Sequence, residues 1–406
     1  MAKAKQLRIG VYLGDYVPDV GGGYTFVSDV FNAFVQMCGE SNHKFVVFCS
    51  PTIVREFKSR AAGKRNIEFC RLPKRVWWES ARMALKRYSP LLRYFLSKPS
   101  RFECLAREKH VELVWFVGGD LHESVDIPYV GTVWDVQHRT HPWFPEVSTK
   151  GTWDCREAAS ARFLRRAAVV ITGTKVGREQ LGWYYQIPQE RVKILPHPTP
   201  DFSAQPAIGS SDIVEKFSER DFILYPAQFW AHKNHVNLLK ALKLLNDKYG
   251  LAVELVLTGA DKGNREHVEF ITESLDLSDR VHFLGFVSRS DLMFLYKKSM
   301  ALVYPSFSGP ENMPPLEAFA QSCPVAVANY PGADEQLGDA AIYFDPSNTE
   351  DIAEKLAKLL TDIGLREFLV AKGRSRAMRW GSKEYVEALM DVFDSFEPIR
   401  SCWGES

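Results

Sequence analysis

The sequence has no long hydrophobic run and no clustered cysteines, and these absences narrow the classes of protein it can belong to. No apolar stretch is long enough to span a bilayer. The seven cysteines are dispersed without a Cys-x-x-Cys pair, which argues against a disulfide framework and against a zinc site. The formal net charge is +1, so the overall charge gives no indication of nucleic-acid binding. We therefore expect a cytoplasmic protein, either free or peripheral at the inner face of the cytoplasmic membrane, with no nucleic-acid partner.

Two common ligand-binding signatures are also incomplete. Gly21, Gly22 and Gly23 follow the first predicted strand, but the dinucleotide fingerprint would need another glycine at position 26, which is Phe26. No Asp-x-Asp pair stands at the end of a predicted strand, and the histidines and cysteines do not have metal-ligand spacing. A dehydrogenase is therefore disfavoured, and we expect neither a metal nor another cofactor.

Strand-like and helix-like segments alternate along both halves of the chain. Apolar stretches such as Leu7–Leu13 and Phe45–Cys49 predict strands in the first half, and the pattern starts again at Phe222–Tyr225. Such alternation predicts parallel, doubly wound sheets. A chain of 406 residues accommodates two domains of ordinary size. The predicted fold class is α/β, with two Rossmann-like domains that face each other across a cleft.

The segment 197–211, HPTPDFSAQPAIGSS, is rich in proline and serine and predicts the linker between the two domains. We assign residues 1–200 to an N-terminal domain, 201–380 to a C-terminal domain and 381–406 to a final helix and tail. Ligands of open α/β folds bind beyond the carboxyl ends of the strands. The sequence therefore predicts a ligand site in the cleft between the domains.

The most informative segment is 308–317, SGPENMPPLE, a polar loop that runs directly into a short helix. Pro314 and Pro315 suit the first turn of a helix, where the N–H groups have no intrahelical partner. Free N–H groups and the positive end of the helix dipole favour an anion such as a diphosphate. Glu317 follows one turn later and can bind the hydroxyls of a sugar. A phosphate site beside a ribose-binding carboxylate is one interpretation, and a simple capped helix is the other.

The order of the motifs in the second half resembles glycosyltransferase family 4, whose members are retaining, nucleotide-sugar-dependent transferases of the GT-B fold. The segments in that order are YPAQFWAHKNH at 225–235, LVLTG at 255–259, VHFLGF at 281–286, YPS at 304–306, the loop at 308–317 and GADE at 332–335. In the first half the resemblance is weaker and rests on the loop at 21–23 and on VWDVQHR at 133–139. It implies that the C-terminal domain binds the donor and that the N-terminal domain holds most of the acceptor.

The resemblance also implies which residues form the site. Lys233 matches the lysine on the donor diphosphate, and Glu317 matches the carboxylate on the donor ribose. The catalytic candidates are Lys233, Glu311, Asp135 and His138, and a structural histidine is the alternative for the last of these. The donor-binding candidates are Gly22, Gly23, Gln228, Lys233, Gly259, Gly309, Asn312, Met313, Pro314, Leu316 and Glu317. A strand-to-helix turn without a ligand is the alternative for the glycine loop.

Three positions depart from the family pattern. Gly309 stands where the family has the first of two glutamates, Gln228 replaces an arginine and Trp134 replaces a histidine beside the donor sugar. Glu311 or Asn312 can supply contacts to the sugar hydroxyls in place of the missing carboxylate, and helix N–H groups can take over from the missing arginine. These departures keep two alternatives to a transferase open: a sugar-nucleotide epimerase of the same architecture, and a non-catalytic nucleotide-sugar-binding partner of another enzyme.

The expected function is retaining transfer of a hexose from a nucleotide sugar, with mannose from GDP-mannose as the first candidate. The expected acceptor is a saccharide, free or lipid-linked, in the synthesis of bacterial surface polysaccharide or lipopolysaccharide. Negative charge grows on the departing diphosphate in such a transfer, so catalysis consists mainly of positioning and electrostatic stabilisation. Lys233 and a helix N-terminus meet this requirement without a metal.

Residues 74–101 form a basic, aromatic-rich segment that carries eight Lys or Arg residues and the single acidic residue Glu79. A segment of this kind can rest on anionic lipid headgroups, which would suit a lipid-linked acceptor. The alternative is an ordinary pair of surface helices that packs on the N-terminal domain. The sequence leaves both interpretations open.

Overall fold

The computed structural model describes residues 6–14, 21–73, 99–119, 125–202 and 211–404. The basic segment predicted at 74–101 therefore lies outside the described residues except for its last three positions. The predicted linker 197–211 is described only at 197–202 and at 211. The described parts of the chain contain two parallel sheets, one of seven strands and one of six.

The first sheet lies in the N-terminal part of the chain. Its strands are β1 (Arg8–Gly14), β2 (Lys44–Cys49), β3 (Ile67–Arg71), β4 (Leu113–Phe116), β5 (Tyr129–Thr132), β6 (Val169–Thr172) and β7 (Val192–Ile194). They are arranged in the order β3-β2-β1-β4-β5-β6-β7, and every neighbouring pair is parallel. The helices around it are α1 (Gly22–Met37), α2 (Val54–Arg60), α3 (Arg101–Glu108), α4 (Gln137–Thr140), α5 (Pro145–Ser148), α6 (Thr152–Arg166) and α7 (Lys175–Tyr185).

The second sheet begins after the predicted linker. Its strands are β8 (Phe222–Pro226), β9 (Glu254–Thr258), β10 (Val281–Gly285), β11 (Ala301–Tyr304), β12 (Val325–Ala328) and β13 (Ala341–Phe344), in the order β10-β9-β8-β11-β12-β13. The helices that follow the linker are α8 (Asp212–Phe217), α9 (His235–Tyr249), α10 (Arg265–Ser274), α11 (Arg289–Lys298), α12 (Met313–Ala320), α13 (Ala333–Leu337), α14 (Thr349–Thr361), α15 (Ile363–Ala377) and α16 (Ser382–Arg400). The prediction of two doubly wound α/β domains is confirmed.

Both faces of the first sheet are buried, which explains why its strands are so apolar. In β2, Phe45 and Val47 belong to the core that contains α1, whereas Val46 and Phe48 belong to the core on the opposite face. Successive side chains of a strand point to opposite faces, so a strand between two helical layers needs apolar residues at every position.

The last helix of the chain packs on the N-terminal domain, although it follows the C-terminal one in sequence. Tyr385, Leu389 and Phe393 of α16 are buried in the same core as α1, and the ring of Phe393 lies 6.1 Å from that of Trp115. The final helix that the sequence predicts within 381–406 is present and spans Ser382–Arg400. The chain therefore crosses between the domains twice. The two crossings meet where the Thr199 N–H donates to the Trp380 carbonyl at 3.0 Å.

The loop predicted at 21–23 is wrong at Gly22 and Gly23, because both residues already belong to the first turn of α1. Gly21 precedes the helix with a φ of 78°, a conformation that glycine adopts without steric cost. The carbonyl of Gly21 accepts hydrogen bonds from the N–H groups of Tyr24 and Thr25, so the helix begins directly after Gly21.

Candidate functional site

Two helix N-termini from different domains face each other at the cleft. A Cβ atom added to Gly22, the first residue of α1, would lie 3.6 Å from Cγ of Met313, the first residue of α12. A Cβ atom added to Gly21 would lie 3.6 Å from the side-chain amide nitrogen of Gln228. The positive ends of both helix dipoles therefore meet in the same part of the cleft, which favours an anion there.

The N-terminus of α12 has no side-chain cap, because its N-cap residue Asn312 is engaged elsewhere. The Asn312 Oδ1 accepts the Tyr304 hydroxyl at 2.8 Å, and its Nδ2 donates to the Gly309 carbonyl at 3.0 Å. The Gln336 side-chain amide holds the Asn312 backbone. Its Oε1 accepts the Asn312 N–H at 3.0 Å, and its Nε2 donates to the Asn312 carbonyl at 2.9 Å. Pro314 occupies the second position of the helix. The helix end is thus fixed in place without being neutralised by a side chain.

Lys233 is held by the short 3-10 turn Ala231–Lys233 that precedes α9. The next residue, Asn234, has a φ of 60°, and its Nδ2 donates to the Pro305 and Pro346 carbonyls at 3.0 and 2.8 Å. Asparagine tolerates this left-handed conformation better than most residues. The Lys233 carbonyl accepts the Tyr225 hydroxyl at 2.6 Å. These bonds fix the backbone from which the Lys233 side chain extends.

The Lys233 ammonium group has polar neighbours that do not neutralise it. Its Nζ donates to the Tyr304 hydroxyl at 2.8 Å and to the Asn312 Oδ1 at 3.4 Å. Burial lowers the pKa of Lys233 to about 8, while the negative charges of Asp135 and Glu146 act in the opposite direction. Lys233 and the end of α12 are therefore brought together through Asn312, and a cation there suits the diphosphate that the sequence predicts.

Glu317 lies one turn into α12 and is buried. Its Oε2 accepts the Tyr296 hydroxyl at 2.7 Å, which fixes the carboxylate relative to α11. Burial raises the pKa of Glu317, and the hydrogen bond from Tyr296 partly offsets this effect. The next donor-binding candidate, Leu316, is buried in the core of the C-terminal domain.

Two of the predicted glycines allow close approaches of the backbone. Gly259 has a φ of 134°, and a Cβ there would lie only 2.4 Å from the Ala227 carbonyl oxygen. This contact joins the end of β9 to the segment that carries Gln228. Gly309 has a φ of 116°, and a Cβ there would lie 2.9 Å from the Asn312 Oδ1. Glycine at 309 therefore leaves room for the amide that contacts Lys233.

The structure does not bring Glu311 together with Lys233. The Glu311 Oε1 accepts the His197 N–H at 2.7 Å, and its Oε2 lies 2.8 Å from the His197 Nδ1. The carboxylate also lies directly over Gly173, where a Cβ would be 1.2 Å from Oε2. Glu311 is only 3% exposed in its side chain, so it serves as a contact between the two domains in this conformation.

His138 lies in a buried network of the N-terminal domain. Its Nε2 is 2.9 Å from the Tyr185 hydroxyl and 3.3 Å from the Glu157 carboxylate. Burial lowers the pKa of His138, although Glu157 acts in the opposite direction. These contacts fit the alternative of a structural histidine. Asp135 differs, because its charge acts on Lys233 while its Oδ1 accepts the Gln137 N–H at 2.9 Å.

Trp134, the third departure from the family pattern, packs within the N-terminal domain. A Cβ on Gly119 would lie 2.3 Å from the Trp134 ring, and the Phe26 ring lies 5.4 Å from it edge to face. The indole thus occupies space beside the domain core.

Sequence reasoning missed two residues that shape the site, Tyr296 and Glu146, and predicted His232 only as a supporting or structural neighbour of Lys233. Tyr296 positions Glu317 from a different helix. Glu146 of α5 reaches across the cleft and accepts both the His232 backbone N–H, at 3.1 Å, and its ring Nδ1. No local pattern reveals contacts between residues 86 positions apart, although the histidines beside Lys233 were visible in the sequence.

The described ranges contain neither a cluster of metal-ligand side chains nor a membrane-spanning helix. Among these residues, no three His, Cys, Asp or Glu side chains are grouped as metal ligands. The described helices also include none with the length and apolar character needed to cross a membrane.

Solved structures with the same arrangement define the class of the fold. The chain is similar to WaaG, a glycosyltransferase involved in lipopolysaccharide biosynthesis, with a TM-score of 0.65 and 18% identity over 95% of this chain and 99% of that one. It is also similar to Anabaena HepE in complex with UDP-glucose, with a TM-score of 0.64 and 15% identity over 96% and 100% of the two chains. The fold is that of a GT-B protein, with two Rossmann-like domains of parallel sheet.

A family model matches the C-terminal part of the sequence. The model described as "Glycosyl transferases group 1" matches residues 210–376, the part that carries Lys233 and Glu317. Over this segment the chain is similar to the glycosyl transferases group 1.

Two curated relatives are mannosyltransferases by name. The chain is 28% identical over 185 residues to O-antigen chain mannosyltransferase RfbU of Salmonella typhimurium, which is 46% of this chain and 49% of the relative. It is 24% identical over 239 residues to O-antigen chain mannosyltransferase B of Escherichia coli, which is 58% and 63% of the two chains. The chain thus matches about half of the first relative and less than two thirds of the second.

Proposed function

We propose that this protein is a retaining hexosyltransferase that uses a nucleotide sugar, with GDP-mannose as the first candidate donor. The proposed acceptor is a saccharide, free or lipid-linked, in the synthesis of a bacterial surface polysaccharide. The observation that carries the proposal is the convergence of Lys233, the uncapped N-terminus of α12 and the buried Glu317 on one side of the cleft.

The geometry supports a nucleoside diphosphate in this part of the cleft. The helix end and the Lys233 ammonium group offer positive charge for a diphosphate, and Glu317 follows one turn later as an acceptor for ribose hydroxyls. In the transfer, the bond between the anomeric carbon and the diphosphate oxygen breaks, and the oxygen of the acceptor hydroxyl bonds to that carbon from the same face. The hydroxyl proton passes to the departing diphosphate oxygen. The negative charge that grows on the diphosphate is then stabilised by Lys233 and the helix dipoles.

The choice of mannose rests on the relatives that are named as mannosyltransferases, and the expected setting rests on their O-antigen names. Gln228 takes the place of a second cation in this site. Its amide nitrogen, close to Gly21, provides a neutral donor for a phosphate oxygen. No step of the proposal needs a metal.

Thermal unfolding in the presence of GDP-, UDP-, dTDP- and ADP-sugars tests the proposal first. A ligand at a hundred times its dissociation constant adds about 2.7 kcal/mol to the free energy of unfolding. We expect stabilisation by GDP-mannose above the others, followed by transfer to an acceptor with the anomeric configuration retained by NMR. Clean epimerisation of the donor without acceptor would contradict the proposal, as would donor binding with no transfer to any acceptor tried.

A further inference from the structure

Glu146 makes a contact between the two domains directly beside Lys233. It belongs to α5 of the N-terminal domain, and its Oε1 accepts the backbone N–H and the ring Nδ1 of His232 in the C-terminal domain. His232 is the middle residue of the turn Ala231–Lys233. One carboxylate thus holds the backbone of the turn and the side chain next to Lys233 from across the cleft.

The Glu146 carboxylate is compensated by His232, and its negative charge raises the pKa of Lys233. The side chain is 7% exposed, and its Oε2 has no hydrogen-bond partner among the described residues. A buried carboxylate without compensation costs several kcal/mol. Burial and then the charge of Lys233 lower the pKa of His232, so the imidazole is neutral at pH 7. Burial alone would raise the pKa of Glu146, but the hydrogen bonds from His232 outweigh it and hold it low.

We propose that Glu146 is a positioning residue for Lys233: from the N-terminal domain it fixes the Ala231–Lys233 turn and, together with Asp135, places negative charge near the ammonium group. This inference rests on the proposed function, because it assumes that Lys233 binds the donor diphosphate. The N-terminal domain then contributes to diphosphate binding through Glu146, although the residue that contacts the diphosphate, Lys233, belongs to the C-terminal domain. Diphosphate binding and the approach of the two domains are then coupled through one carboxylate.

The other groups that face Lys233 do not provide the same coupling. Tyr304 and Asn312 are its hydrogen-bond acceptors, and burial raises the pKa of Tyr304 well above its usual value, so the phenol stays neutral. His235 on α9 is also neutral, because burial lowers its pKa to about 3. The remaining charge is Asp135, which raises the pKa of Lys233 but is bonded within its own domain. Of these groups, only Glu146 accepts a hydrogen bond from a backbone N–H of the turn Ala231–Lys233.

The test measures the affinity of the full chain for GDP by calorimetry between pH 7 and 9.5. In the wild type, affinity should fall as the pH rises through about 8, where Lys233 loses its proton. Glu146→Gln keeps the shape and an oxygen acceptor for the His232 N–H but removes the charge. We expect the midpoint of this fall in GDP affinity to lie about half a pH unit lower than in the wild type, with roughly twofold weaker binding at pH 8. Glu146→Asp, which keeps the charge, should restore most of the wild-type profile.

Glu335→Gln is the matched control, because Glu335 also joins the domains through two hydrogen bonds, to the N–H groups of Lys175 and Val176 at 2.7 and 3.0 Å. The GDP affinity of Glu335→Gln should fall with rising pH at the same midpoint as that of the wild type. Lys233→Arg, whose guanidinium stays charged, should show no alkaline fall in GDP affinity. Adding Glu146→Gln to Lys233→Arg should then produce no shift in the pH dependence.

The two proposals fail in different ways. A wild type that binds neither GDP nor UDP refutes the proposed function. A wild type that binds GDP with an alkaline fall, but shares its midpoint with Glu146→Gln, overturns only the role of Glu146. An equal shift in Glu335→Gln would likewise overturn it, because the effect would then belong to any contact between the domains. If Glu146→Gln does not fold, an alkaline midpoint in Glu146→Asp that lies well below the wild-type value overturns the proposal as well.

Discussion

Lys233 is a cation whose hydrogen-bond partners, Tyr304 and Asn312, are neutral. Tyr304 and Asn312 orient the ammonium group without cancelling its charge. Burial lowers the pKa of Lys233 to about 8, so the group is mainly charged at pH 7. The charge is therefore available to a bound diphosphate, and no exchange of partner is needed before binding.

Lys233→Ala should lower turnover at least about tenfold, equivalent to about 1.4 kcal/mol of transition-state stabilisation. The reason is the loss of the cation on the departing diphosphate. Steady-state kcat/KM with donor and acceptor measures the effect. The control is Lys262→Ala, since Lys262 is exposed and packs over the Trp230 ring at 5.8 Å, and it should retain wild-type rates. Equal rates in both variants would contradict the assignment of Lys233.

Tyr296→Phe tests the carboxylate of Glu317 without removing it. Loss of the hydroxyl removes the bond that lowers the pKa of Glu317, so this pKa should rise further. Protonation of the carboxylate removes its capacity to accept two ribose hydroxyls. Donor affinity should therefore fall at a higher pH than in the wild type as the solution is acidified. Calorimetric titration with GDP from pH 5 to 7.5 measures this, and an unchanged acidic profile would count against ribose binding by Glu317.

The sequence indicates the local surroundings of some of these residues and not those of others, for one physical reason. Lys233 and Glu317 lie in local motifs, where a turn or a helix start limits what the side chain can do. The surroundings of Glu311 and His138 depend on partners that lie 114 and 47 positions away, at His197 and Tyr185. Spacing along the chain carries no information about such contacts.

At the scale of elements, the turn from β6 to α7 depends on a glycine that the sequence did not single out. Gly173 lies beneath the Glu311 carboxylate, and a methyl group there would overlap it. The contact joins the loop before α12 to the N-terminal sheet. It also explains why a loop residue that looks exposed in the sequence is buried in the fold.

Gly173→Ala should lower the free energy of unfolding by roughly 1–3 kcal/mol, because the buried carboxylate must move away from His197. Chemical denaturation measures the change. Gly182→Ala is the control, since Gly182 lies inside α7 and its nearest contact to an added Cβ is 4.0 Å away. That variant should be unchanged or slightly more stable. A loss of equal size in both variants would show that helix and turn effects, and not the overlap with Glu311, are responsible.

At the scale of the whole molecule, the two domains are not two independent halves of the sequence. The alternation of strands and helices predicted both sheets, because buried parallel strands need continuous apolar stretches. The order of strands in each sheet could not be read in this way, since it depends on where each crossover helix packs. The position of α16 also could not be inferred, because an amphipathic helix does not indicate which core it covers.

Deletion of 382–406 should therefore destabilise the N-terminal domain more than the domain to which the helix is adjacent in sequence. The deletion removes Tyr385, Leu389 and Phe393 from the core around α1. Limited proteolysis with mass spectrometry should show early cleavage within the described segment 21–73, whereas 222–344 remains protected. Deletion of 404–406 is the control and should give the wild-type pattern. Early cleavage in the second sheet would contradict the assignment of α16 to the first core.

The pair of chain crossings at Thr199 and Trp380 has a mechanical consequence. A single linker allows one domain to rotate in several directions and to slide against the other. Two hydrogen-bonded linker segments side by side restrict the motion mainly to rotation about one hinge axis. A rotation of the domains about that axis would return Gly22 to the same position opposite Met313. The alignment of the two helix N-termini would then follow from the two chain crossings and would not have to be established by a ligand.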